Sequence, residues 1–313
     1  MGWRNGGSYL FHPSETDLFS GTLREFWFSP NTRLLICLSG NAMLMTATEL
    51  QEYLLVASDM SEPELFNFPE GRVAAYCRRC PNKMSLNQDS AAVIRFGFGS
   101  LVLAIADGVG GGRSGMRASA VALRALSDSL LKVSDPGDLR SSIVDGIECA
   151  NAKILGLGVG AATTLSVVEI NDSMARAYQV GDSTSLIFGQ RGSLKWKSIS
   201  QSPVGYAIES GILEERDSML HPDRHLVSNL VGSREMHIEL GPAQELNPRD
   251  TVLVGSDGVF DNLHLNEVLD LGRSGEPRER VRDLAHLAHQ RMVSMSSENF
   301  GKPDDLSVLL YTR

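Results

Sequence analysis

Cysteine is scarce in this chain of 313 residues: the four present, Cys37, Cys77, Cys80 and Cys149, are too few for a disulfide framework. The core must therefore come from hydrophobic burial, which a chain of this length can support. Cys77 and Cys80 form a C-x-x-C pair, but a structural zinc needs two further ligands at matching spacing. Neither Cys37 nor Cys149 has a Cys or His close by, so the pair reads as two cysteines on or beside a strand. Basic residues are also in deficit, 29 Lys and Arg against 38 Asp and Glu, a net charge of −9. That balance argues against nucleic acid as a partner, because phosphate-backbone affinity comes from clustered cations. No apolar run reaches the ~18 residues of a membrane span. The glycine-rich start, Met1 to Ser8, lacks the apolar stretch of a secretion signal. A cytoplasmic protein without membrane contact is expected.

What is present is a folded composition, 42% hydrophobic and 21% charged. Residues 1–70 differ in texture from the rest, with an aromatic cluster at Phe26-Trp27-Phe28 and a strand-like run from Arg33 to Leu38. Pro63 and Pro69 bracket an acidic-aromatic stretch that reads as a linker or irregular cap, so residues 1–70 are expected to form an extension or small module. Residues 71–313 are expected to be the main domain. Leu101–Ala106 is a buried strand running into Asp107-Gly108-Val109-Gly110-Gly111-Gly112. Ala118, Val121, Ala122, Ala125 and Leu126 then share one helix face. A second helix is predicted over Asp138–Leu155, and a last one opens at Pro277 with Val281, Leu284, Ala285, Ala288 and Met292 inward. Strands are predicted at Thr163–Ile170, Ala175–Val180, Ser185–Phe188, Thr251–Gly255 and Leu306–Tyr311, with a polar excursion over 200–235. Hairpins join the middle strands, which makes the class α+β with a largely antiparallel sheet.

Three aspartates share one local design. Asp107 and Asp257 follow apolar strands and precede glycine, and Asp304 immediately precedes the terminal strand. A carboxylate at a strand end is held rigidly, and a neighbouring glycine lets a cation or substrate approach the backbone. Several such carboxylates at one rim repel each other unless a divalent cation lies between them, and hard oxygen donors suit magnesium or manganese. An Asp-Gly pair alone is ordinarily a turn.

The ordered series carries more weight. Asp107-Gly108-Val109-Gly110-Gly111, Ala162-Thr163-Thr164, Gly181-Asp182-Ser183, Ser256-Asp257-Gly258-Val259-Phe260-Asp261 and Asp304-Asp305-Leu306-Ser307-Val308 follow one another along the chain. In that order they resemble the metal-dependent serine/threonine protein phosphatases of type 2C. The stretch from Glu209 through His221-Pro222-Asp223-Arg224-His225 to Ser233 is similar to the flap of bacterial members. The resemblance implies an αββα sandwich of two antiparallel sheets flanked by helices, and a binuclear Mn2+ or Mg2+ centre at one rim. It implies that Asp107 bridges both metals, that the Gly108 carbonyl binds one, and that Asp257 and Asp304 bind the other. Asp182 matches the holder of a third, weaker ion, Asp261 a supporting acid, and Asp305 a hydrogen-bonding partner. A phosphorylated protein would be the substrate, a serine/threonine kinase the opposing partner, and a monomer the default state.

One motif departs from the family pattern. In Lys83-Met84-Ser85-Leu86-Asn87-Gln88-Asp89, Asp89 matches an acid that reaches the metals through water. Gln88 stands where a glutamate is usual, and Met84 where an arginine grips phosphate. Lys83, Arg78 or Arg79 would have to supply that cation, and lysine lacks the bidentate fork. Val109 replaces a histidine of animal members, as in bacterial relatives. Two readings follow: an active phosphatase with weaker phosphate gripping, or a pseudophosphatase acting as a regulatory binding module. The complete set of core aspartates favours activity. Elsewhere, His221 and His225 read as flap residues, and the Arg278–Arg282 run as a solvated helix face.

Overall fold

The computed structural model describes residues 15–18, 21–29, 32–37, 50–110, 113–158, 160–294 and 301–313, the first three segments as backbone. Those three are strands β1 (Glu15–Leu18), β2 (Gly21–Ser29) and β3 (Thr32–Cys37), an antiparallel meander of their own. The side chains of Phe26–Phe28 and of Cys37 lie outside the described residues.

From Gln51 the chain builds two antiparallel sheets. Strands β4 (Gln51–Val56), β5 (Glu64–Phe68), β6 (Gly71–Arg78), β7 (Ser90–Phe96), β8 (Ser100–Ala106) and the short β9 (Gly108–Val109) come first. Helices α1 (Arg113–Leu130) and α2 (Leu139–Leu155) follow, then β10 (Ala162–Thr163), β11 (Leu165–Asn171), β12 (Met174–Val180), β13 (Thr184–Phe188) and β14 (Leu194–Lys197). The excursion contains α3 (Pro203–Glu209) and α4 (Glu215–Ser218) and returns through β15 (Glu239–Leu240) and β16 (Gln244–Glu245). Strand β17 (Thr251–Gly255), helices α5 (Asp257–Phe260), α6 (Leu265–Gly272) and α7 (Pro277–Val293), and β18 (Leu306–Thr312) complete the chain. One sheet runs β15-β12-β11-β8-β7-β4, with β16 also on β12, and the other runs β14-β13-β17-β18-β6-β5.

Continuous apolar runs such as Leu101–Ala106 become intelligible here, because both faces of the strand are covered. Leu101, Leu103 and Ile105 enter the layer between the sheets with Val93, Val252, Val254 and Leu309. Val102, Ala104 and Ala106 face outward onto Leu123, Leu126, Ile143 and Ile147 of α1 and α2. The second sheet mirrors this, with Leu253, Val308 and Leu310 under Val281, Leu284 and Ala288 of α7. Each fully buried Leu or Val contributes roughly 1.5–3 kcal/mol relative to exposure. The result is the α+β, αββα sandwich expected from the sequence.

Two expectations need correction. The boundary at residue 70 cuts through the sandwich: β4 pairs along its whole length with β7, and β5 with β6. The stretch between Pro63 and Pro69 is therefore a strand, and Phe66, 6% exposed, packs its ring 4.4 Å from that of Tyr53. Prolines at its ends obscured it, since they sit just outside the ladder where a missing N–H costs nothing. The Arg278–Arg282 run is not wholly solvated. Arg280 is 4% exposed and donates to the Gly272 carbonyl at the end of α6 and to Thr251 Oγ1. A guanidinium there satisfies a carbonyl that the helix itself leaves open.

Candidate active site

Strand register brings the predicted acids to one rim. Ser90 pairs with Ala106, so Asp89 before β7 lies beside Asp107 after β8. Gly255 pairs with Val308 on one side and Thr184 on the other, so Asp257, Asp304 and Asp182 meet at the corresponding end of the second sheet. Their mutual influence is electrostatic. Burial first, then the charges of Asp257, Asp89, Asp304 and Asp182, hold the Asp107 carboxyl well above its ordinary value. Asp89, 1% exposed, is raised by burial and by Asp305, Asp257 and Asp304. Burial and Asp257 push Asp182 up to about 8, Asp304 to about 7 and Asp261 to about 6.

The Ala162-Thr163-Thr164 motif holds Asp107 by its backbone. Thr163 Oγ1 donates to the Asp107 carbonyl at 2.7 Å, Thr164 N–H donates to it at 2.9 Å, and the Asp107 N–H donates to Thr164 Oγ1 at 3.1 Å. The carboxylate is thereby left for the cleft. Gly108 has no room for a side chain: a Cβ would lie 2.2 Å from the Gly115 carbonyl oxygen and 2.7 Å from that of Gln88. Asp305 organises the opposite wall, accepting from Cys80 N–H at 2.7 Å and Gln88 N–H at 2.9 Å, with Lys83 Nζ 3.6 Å away. Ser256 Oγ donates to Asp89 Oδ2 at 2.8 Å.

The broken motif resolves residue by residue. Arg79 pairs with Asp59, and Arg78 turns to Tyr76 and a cavity of about 310 Å3 against α7 that is lined by none of the rim aspartates. Lys83 alone of the three reaches an acid of the site, Asp305. Met84 is 95% exposed. Gln88 is buried with its amide oxygen unpartnered, like Asp89 Oδ1 and Asp257 Oδ1. Beneath the flap a cavity of about 110 Å3 opens among Asp182, Asp257, Asp261, Lys197 and Arg224. His221 and His225 face the flap's own backbone.

The sequence reading missed Lys302. Its Nζ lies 2.6 Å from Asp257 Oδ2, 2.7 Å from Asp261 Oδ2 and 3.5 Å from Asp304 Oδ2. Burial alone would lower the Lys302 pKa, but Asp257, Asp261 and Asp304 outweigh it and raise it above the ordinary value. The available signal was a lysine two residues before Asp304, which motif order passes over. Among the described residues no three or more His, Cys, Asp or Glu side chains are gathered as a ready ligand set, and an ammonium stands among these carboxylates. The donors still fit hard divalent cations: they are carboxylate oxygens, mutually repelling, with buried oxygens of Asp89 and Asp257 lacking partners.

The family model for protein phosphatase 2C matches residues 78–292, well over half of the chain. The chain belongs to the protein phosphatase 2C family. A putative protein phosphatase 2C-type of Streptococcus pyogenes is 26% identical over 218 residues, 67% of this chain and 88% of that relative. The serine/threonine phosphatase stp of Listeria welshimeri is 26% identical over 239 residues, 72% of this chain and 90% of that protein. Among solved structures, the serine/threonine phosphatase PstP/Ppp of Mycobacterium tuberculosis superposes with a TM-score of 0.63 at 24% identity. It covers 77% of this chain and 97% of that one, a likeness of fold.

Gly258 tests how tightly this rim is assembled. A Cβ there would lie 2.0 Å from the Asp305 carbonyl oxygen, which would push α5 away from the start of β18. Gly258→Ala should cost about 2–3 kcal/mol, read as a lowered melting temperature. An unchanged melting temperature would show that the rim tolerates separation.

Proposed function

We propose that the chain hydrolyses phosphoserine and phosphothreonine on proteins in a reaction that requires divalent metal. The observation that supports this most is the meeting of Asp89, Asp107, Asp182, Asp257 and Asp304 at one sheet rim in a family of protein phosphatases. Asp107 and the Gly108 carbonyl, with Asp257 and Asp304 on the other side, would hold two Mn2+ or Mg2+ ions, and Asp182 a third, weaker one. A structure of a relative, PstP, was solved in complex with two manganese ions. Such ions, when bound, lower the pKa of a coordinated water and neutralise phosphoryl oxygens.

The chain's own residues then have positioning roles. Thr163 and Thr164 fix Asp107, Ser256 fixes Asp89, and Asp305 ties the 80–88 loop to the rim. No side-chain nucleophile is required for a water to attack phosphorus. Lys83, with a third of its side chain accessible, is the cation nearest to taking over from the absent arginine. No specific observation favours the pseudophosphatase reading, since each core acid is in place. We also propose that the catalytic unit begins near Gln51, where β4 joins the sheet, and that residues 1–50 are the appended segment. No helix among the described residues is long and apolar enough to cross a membrane; a cytoplasmic monomer opposing a serine/threonine kinase is the accompanying proposal.

The test is phosphate release from phosphothreonine and phosphoserine peptides with manganese and with EDTA. Release with manganese and none in EDTA is the expected result. Full activity in EDTA would overturn the assignment, and binding of phosphopeptide without release would favour the pseudophosphatase.

A further inference from the structure

Lys302 is placed with more care than a surface lysine. Buried Asn262 accepts the Lys302 N–H at 2.9 Å through Oδ1 and donates Nδ2–H to the Lys302 carbonyl at 2.9 Å. The same amide nitrogen lies 3.0 Å from the Gly258 carbonyl. The backbone from which the side chain springs is thus fastened to α5, the helix that begins at Asp257 and is followed directly by Asp261. Pro303 restricts the chain immediately afterwards. The Lys302 side chain is 19% exposed, and its ammonium is bonded to two carboxylates at charge-assisted distances, with a third at 3.5 Å.

Two of those three acids, Asp257 and Asp304, are assigned above to a metal ion. An ammonium and a divalent cation cannot share the same carboxylate oxygens without strong repulsion at a few ångströms in a half-buried site. We propose that Lys302 is an intramolecular competitor for the metal position between Asp257 and Asp304. It neutralises these acids when no ion is bound and must withdraw when one enters, so it sets how much metal the enzyme needs. The four-carbon stem permits withdrawal by rotation while the clamped backbone stays in place. The inference rests on the metal-dependent reading of the site, and its test separates the two.

Calorimetric titration of Mn2+ into the full-length metal-free protein, compared among wild type, K302Q, K302M, K302R and D257N, decides it. K302Q and K302M should bind manganese at least about tenfold more tightly, ~1.4 kcal/mol, while K302R stays near wild type. Their metal-free melting temperatures should fall, and the rise on adding manganese should grow. K302M keeps the aliphatic stem, so it serves if K302Q does not fold without metal. If D257N loses a binding event but K302Q and K302M bind no more tightly than wild type, Lys302 is not a competitor. If D257N binds manganese as wild type does, the metal assignment itself fails.

Discussion

Asp107→Asn should reduce turnover of a phosphothreonine peptide by roughly three orders of magnitude or more, because a metal ion supplies several kcal/mol of transition-state stabilisation. The substitution keeps the shape of the side chain and leaves the backbone clamp from Thr163 and Thr164 untouched. Folding should therefore survive, and circular dichroism should match wild type. Asp257→Asn should behave similarly, although it also removes a partner of Lys302. Asp305→Asn makes the contrast. Its carboxylate accepts from Cys80 and Gln88 and faces Lys83, so its loss should loosen the 80–88 loop and lower stability more than it alters the chemistry. Measuring kcat/KM at saturating manganese checks all three. A loss below about tenfold for Asp107→Asn would remove that residue from the metal centre.

In EDTA the protein should become less stable as pH rises from about 5.5 to about 8. The ordinary Asp value is 3.8, whereas in the fold Asp261, Asp304 and Asp182 titrate at about 6, 7 and 8. Between those limits the folded state binds more protons than the unfolded chain. Stability is then fully present below the unfolded value and falls as pH climbs through the folded ones. The cause is burial together with repulsion among the carboxylates, which Lys302 only partly offsets. Manganese should reverse the trend, since it binds the deprotonated acids of the folded state. Thermal melts at both pH values, with EDTA and with manganese, should show a fall of several degrees in the first series and a rise in the second. A metal-free melting temperature that increases over this interval would mean that the acids are not packed against one another.

The sequence by itself determined the elements that depend on local pattern. Apolar runs at Leu101–Ala106 and Thr251–Gly255 are strands, Pro277 opens a helix, and the aspartates beside glycines mark strand ends. Motif order then identified the family, because the same residues at the same succession of strand ends imply one topology. Tertiary structure alone decided what contacts across long separations decide. Asp305 anchors Cys80 from 225 positions away, and β5, hidden between two prolines, is recognisable only by its ladder with β6. Arg280 reads as a solvated charge until the end of α6 presents a carbonyl to it. Lys302 carries no periodicity and sits in no motif. Its position among Asp257, Asp261 and Asp304 arises because β17 and β18 are adjacent and Asn262 fastens its backbone to α5, a juxtaposition set by strand pairing, which local sequence pattern does not encode.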